Sequence, residues 1–180
     1  MAENNKFTSE DFAIVKVNNQ YAELEVKNVI TGNFVKTGII LVFDDIEFSS
    51  RLNNALVEIA KSASDATKTD DSEYTDLISK INTSDEFTDD NKKIMSLLLS
   101  LQCEISKVQA ASEVAKIKFD EALGEGSLDK VVNARYGRIF LPNIIFIGSL
   151  LSFLLNAGSA FLARELNSTL NDINKRFENV

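Results

Sequence analysis

An α+β fold, mostly helical, is predicted by three features of the sequence. Short β-branched and alternating segments fill its first 43 residues. A heptad-spaced apolar stripe runs for four heptads from Ile94 to Ala122. An uncharged run from Ile139 to Ala163 contains fourteen Ile, Leu or Phe in 25 positions. Alternation at period 2 marks strands and recurrence at 3.5–3.6 marks helices. Together they predict a small N-terminal antiparallel β-meander with one covering helix, then a long-helix bundle. Three regions follow: 1–63 for the meander and its helix, 64–90 for an acidic loop with a short helix, and 91–180 for the helical part.

The expected strands are Phe12–Val17, Tyr21–Lys27 and Phe34–Phe43. In the second, Ala22, Leu24 and Val26 share one face, with Tyr21, Glu23, Glu25 and Lys27 on the other. Asn18-Asn19 and Gly32-Asn33 supply turns, and connections this short favour an antiparallel meander. The end of the third strand, Ile39-Ile-Leu-Val-Phe43, is apolar on both faces, which predicts a central or covered position. Three strands need a cover. The stripe Phe48, Leu52, Ala55, Leu56 and Ile59, on a helix of about Asp45–Ala63 opened by Asp44 and Glu47, is the expected one.

The net charge is −8, and nine acids against Lys68 and Lys80 put −7 of it between Ser64 and Asp90. That segment reads as a solvated connection with a short helix near Ser72–Ile81, started by Asp70 and Glu73. Thr88 is the expected cap of the longest helix, ending near Leu123, with Asp89 and Asp90 in its first turn. Its stripe, Ile94, Leu98, Leu101, Ile105, Val108, Ser112, Ala115, Phe119 and Ala122, is spaced 4-3-4-3-4-3-4-3. That is the pattern of a coiled-coil seam. Leu97, Val114 and Ile117 widen it. Gly124-Glu-Gly126 ends the helix, Ser127 opens a short one to about Gly137, and Pro142 stands in the first turn of the last helix. Whether that helix breaks at Asn156-Ala-Gly158-Ser159 stays open. Beyond Arg164, Leu166, Leu170, Ile173 and Phe177 continue the apolar spacing begun at Leu162.

The 139–163 run must leave water, in protein or in lipid. For lipid, 25 helical residues span about 37 Å against roughly 30 Å of hydrocarbon, and Gly148, Ser152, Asn156 and Ala160 form a stripe of small residues. Against it, five polar residues lie within the run, there is no aromatic belt, and flanking basic residues tie at three on each side. The favoured reading is a helix packed in protein.

The same sequence argues against several kinds of function. There is no histidine, so imidazole-based triads and zinc–histidine sites are excluded. Cys103 is the sole cysteine, which points to a reducing compartment and a thiol that is structural or merely exposed, at an outer position of the long helix. The acid pairs Asp44-Asp45, Asp70-Asp71 and Asp89-Asp90 precede helices, where dipole complementation accounts for them. Lys130, Arg135 and Arg138 are too few for nucleic acid. No cofactor or metal site is expected. The chain is therefore expected to be a non-catalytic structural subunit of a larger homo-oligomeric assembly, cytoplasmic or within an assembled particle such as a virion. Its expected interface is Ile94, Leu98, Leu101, Ile105 and Val108 on the long helix, with Phe146, Leu150, Leu154, Leu162, Leu166 and Ile173 on the last. The alternative is a membrane protein with a C-terminal transmembrane helix or hairpin at 139–163, acting as an anchor, pore or lysis-type effector. A weaker third reading is an enzyme using carboxylates with Tyr21, Tyr74 or Tyr136.

Overall fold

The computed structural model describes residues 6–18, 21–42, 46–66 and 71–178. Within the last helix, the side chains of 162, 164–166, 168–169 and 171–178 lie outside the described set. The fold is α+β: a four-stranded antiparallel sheet followed by five helices. The strands are β1 (Lys6–Thr8), β2 (Phe12–Lys16), β3 (Ala22–Lys27) and β4 (Phe34–Leu41), paired in chain order. The helices are α1 (Ile46–Ala66), α2 (Ser72–Thr83), α3 (Asp89–Leu123), α4 (Ser127–Tyr136) and α5 (Ile144–Glu178).

The sheet has one strand more than the three expected. Lys6–Thr8 is too short to show a period, and it pairs Phe7 with Ile14. Phe7 then meets Phe153 of α5 with ring centroids 5.4 Å apart. The alternation of β3 holds: Ala22, Leu24 and Val26 are buried, and Ile14 faces Leu24 while Phe12 faces Val26. β4, expected to be central or covered, is the edge strand, with α4 packed against it. Its register on β3 shifts between Glu23 and Glu25, opposite Gly38, whose φ of 72° suits glycine. The shift leaves Thr37, Ile39 and Leu41 buried and Ile40 in solvent.

Among the described residues, one apolar core joins the sheet to α1, α3, α4 and α5. Phe48, Leu52, Ala55 and Ile59 of α1 enter it as their spacing predicts. The sheet's cover is a correction: α4 lies against β3 and β4, and α5 against β2, where α1 was expected. Helix α1 has its most extensive contacts with α3 and α5. The inner face of α5, Ile147, Leu150, Leu151, Leu154 and Ala157, is fully buried.

The helix ends follow local chemistry, with three departures from expectation. Thr88 caps α3 by accepting from the Asn91 amide, as expected. α4 is started by Asp120, whose carboxylate accepts from the Leu128 amide at 2.9 Å, while Ser127 Oγ turns back to donate to the Leu123 carbonyl. α5 begins after Pro142, and Asn143 Oδ1 accepts from the Phe146 amide at 2.9 Å. At α2, Asp71 holds the cap position without making a cap bond. The expected starting residues Asp44 and Asp70 lie outside the described residues. α5 runs unbroken through Asn156–Ser159, which closes the question of one rod or two.

α4 is tied to the sheet by polar bonds. Asn28 Nδ2 donates to the Ala134 carbonyl at 2.9 Å, and the Val29 amide donates to the Arg135 carbonyl at 2.9 Å. Arg135 reaches back to Asp11 at 2.9 Å and to the Lys27 carbonyl at 3.3 Å, with its guanidinium over the Tyr136 and Phe146 rings.

Candidate protein-interaction face

The long stripe of α3 divides into two halves with different fates. Ser112, Ala115, Phe119 and Ala122 are buried in the chain's own core. Ile94, Leu98, Leu101, Ile105 and Val108, on the same helix face, are between 50% and 64% exposed, and Leu97 beside them is 62% exposed. Six such side chains present on the order of 600 Å² of apolar surface, the upper end of the roughly 300–600 Å² of the largest patch on a typical monomer.

The opposite side of this half is covered. α2 runs antiparallel to α3, with Asn82 Oδ1 accepting from Ser96 Oγ at 3.2 Å at one end. At the other end, Asp71 accepts from Cys103 Sγ at 3.3 Å and from Lys107 Nζ at 2.8 Å. Heptad numbering puts Ser96 and Cys103 diametrically across from the stripe. A position patterned as outward, Cys103, is thus buried, while the patterned seam is open.

The open stripe leads into a groove where the chain closes over α3. The groove has a volume of about 470 Å³, and Ile105, Val108, Ser112, Leu141, Pro142 and Asn143 are among its walls. Leu141 to Asn143 form the barrier at which the exposed half ends. Nothing in the sequence flagged these residues as part of a surface site, because the signal would be a loop returning to α3 from 29 or more residues further along the chain.

The interface residues expected on α5 are placed differently. Leu150 and Leu154 are fully buried within the chain, so they are core, which corrects their assignment to an interface. Phe146 is half-buried, with ring centroids 5.8 Å from Phe12 and 6.3 Å from Tyr136. The side chains of Leu162, Leu166 and Ile173 lie outside the described residues. Gly148, Ser152 and Asn156 line a second groove with Leu56, Ile59 and Ala60 of α1, so the small-residue stripe faces this chain's own helix. α5 is the one helix among the described residues long and apolar enough to cross a membrane. Its window Ile144–Phe161 has mean hydropathy 1.9 and is 39% buried.

Asp71, Cys103 and Glu104 bring three ligand-type atoms within 4.8 Å of one another. The Lys107 ammonium already stands among them, 2.8 Å from Asp71 and 3.3 Å from Glu104, where a cation would have to sit. Burial, and then the neighbouring Asp71, push the Cys103 thiol above its ordinary value, the reverse of an activated thiolate. Tyr74 lines the cavity beside Cys103. Tyr136 packs edge-on against Phe140 at 5.0 Å. Tyr21 precedes β3, roughly 20 Å of strand from the end held by α4.

No protein-family model, no curated protein and no solved structure matches this chain.

Proposed function

We propose that this protein is a non-catalytic structural subunit of a larger assembly, joined to its neighbours through the open apolar face of α3. The single observation that carries this reading is the row Ile94, Leu98, Leu101, Ile105 and Val108, at least half exposed on a rigid helix whose other side is covered. Exposed apolar surface costs free energy in water at roughly 25 cal/mol per Å², and a protein partner removes that cost. Covering the row requires only burial, with no cofactor and no reactive group. A virion or another large particle is a setting that suits such a subunit.

The mass of the purified full chain in water, with and without detergent, tests the reading. The expected result is an oligomer in water that becomes smaller when Leu101 and Ile105 are both replaced by Asp. Particle size and solubility unaltered by that double substitution would remove the reading.

A membrane role through α5 is the second reading, favoured by the hydropathy of Ile144–Phe161 and by Ile145, which is 74% exposed. Against it stands the inner face of the same helix, where Ile147, Leu150, Leu151 and Leu154 fill the core. Recovery of the expressed chain only in detergent-extracted membranes would favour this second reading over the first.

A further inference from the structure

We propose, building on the assembly reading above, that the partner on the α3 face is a second copy of α3 set antiparallel, its Ile94 end entering the groove beside Pro142. The area fits. The exposed row offers on the order of 600 Å² on each copy, near the ~800 Å² per partner of a stable interface. Such a two-fold contact is self-complementary, since the same row supplies both sides.

Charge permits a like partner on this face. The segment from Ser64 to Asp90 carries −7 of the −8, and between Asn91 and Ser112 the one acid is Glu104. The positions beside the row on one rim, Met95, Gln102 and Gln109, are uncharged. On the other rim, Lys107 lies 3.3 Å from Glu104 and offsets its charge.

Direction and register follow from the barrier at Leu141–Asn143. In a parallel pair, two such barriers meet at the same level and hold the helices apart. In an antiparallel pair they fall at opposite ends. Opposing each position of one heptad type with the other places Leu98 against the partner's Val108 and Leu101 against the partner's Ile105. Ile94 then stands level with the partner's Ser112, at the groove. Lys92 and Lys93 come level with the partner's Glu113. Gln102 lies close to its own copy, and so does Glu104.

Nitroxide labels on the full chain test this, carried by Gln102→Cys or Gln109→Cys in a Cys103→Ser background. Both glutamines are exposed and polar, so the fold tolerates the change. Interchain distances from pulsed electron resonance are expected to differ by site. Along the helix axis, labels at 102 are offset by about 3 Å and labels at 109 by about 18 Å, from 1.5 Å per residue. Equal short distances at both sites would overturn the antiparallel copy and leave the assembly reading standing, as would a dimer with long distances at both. A monomer in water whose mass and solubility are unmoved by Leu101→Asp would remove the proposal and the assembly reading together.

Discussion

Asp71 accepts the Cys103 thiol at 3.3 Å and so fixes the first turn of α2 to the middle of α3. Its second oxygen takes the Lys107 ammonium at 2.8 Å. A residue at a helix N-cap position ordinarily satisfies its own helix. Here the carboxylate is spent between helices, and α2, which buries no residue of its own, depends on that tie. Lys107 and then Cys103 hold the Asp71 carboxyl below its ordinary value of 3.8. A carboxyl depressed by folding stabilises the fold above its unfolded value, and the contribution is lost as pH falls through the folded value. Hydrogen exchange of α2 amides, corrected for the intrinsic rate, is therefore expected to stay constant from neutral pH down to about pH 4 and to quicken below it. Asp71→Asn is expected to quicken it at neutral pH and to abolish the acid step. An α2 equally protected in both proteins at pH 7 would show that the tie carries nothing.

Cys103 itself is expected to resist modification. It is buried, and its thiol is held in the protonated form by burial and by Asp71. Alkylation of the native chain at pH 7.5 by a thiol reagent is expected to run far slower than in denaturant, where the thiol titrates near its ordinary value. Equal rates in the two conditions would place the thiol in solvent.

The two halves of the apolar helices are expected to separate in stability measurements. Leu154→Ala removes a fully buried side chain and is expected to cost about 2–5 kcal/mol. Phe119→Ala falls in the same class, at about 3–5 kcal/mol. Leu98→Ala and Leu101→Ala, in the exposed half, are expected to move the stability of an isolated chain by no more than about 0.5 kcal/mol. Denaturant unfolding read at low concentration, where association is absent, makes the comparison. A cost at Leu101 equal to that at Leu154 would mean that the row is covered within one chain.

Arg135 is the polar joint between α4 and the sheet. Its bonds to Asp11 and to the Lys27 carbonyl, and its position beside the Tyr136 and Phe146 rings, use the planar fork and the cation–π reach of the guanidinium. Arg135→Ala is expected to destabilise the fold by about 1.5–3 kcal/mol, the range for hydrogen bonds to charged groups. Arg135→Lys is expected to recover little of it, since an ammonium cannot make the paired bonds or stack. Full recovery by lysine in thermal unfolding would reduce the joint to a simple charge pair.

Much of this fold was legible from period alone. The alternation of Ala22, Leu24 and Val26 specified which face of β3 goes inward, and the spacing of Phe48, Leu52, Ala55 and Ile59 specified the buried face of α1. These are local readings, because a strand or helix repeats its geometry every two or 3.6 residues. The caps that lie within their own helix, such as Thr88, were equally readable. Those supplied from elsewhere, such as Asp120 to Leu128, were not, since the partner is fixed only when α3 turns into α4.

The sequence by itself determined that one face of α3 is apolar from Ile94 to Ala122 and that Ile139–Ala163 must avoid water. Only the tertiary structure decided which part of each is used at home. The inner side of α5 and the Leu141–Asn143 turn close over α3 from Ser112 onward, and α2 takes the far side of the preceding residues. A repeat pattern records the side on which a helix is greasy and carries no information about which neighbour reaches it. That depends on loops and lengths hundreds of atoms away, and it left Leu98, Leu101 and Ile105 bare while hiding Cys103.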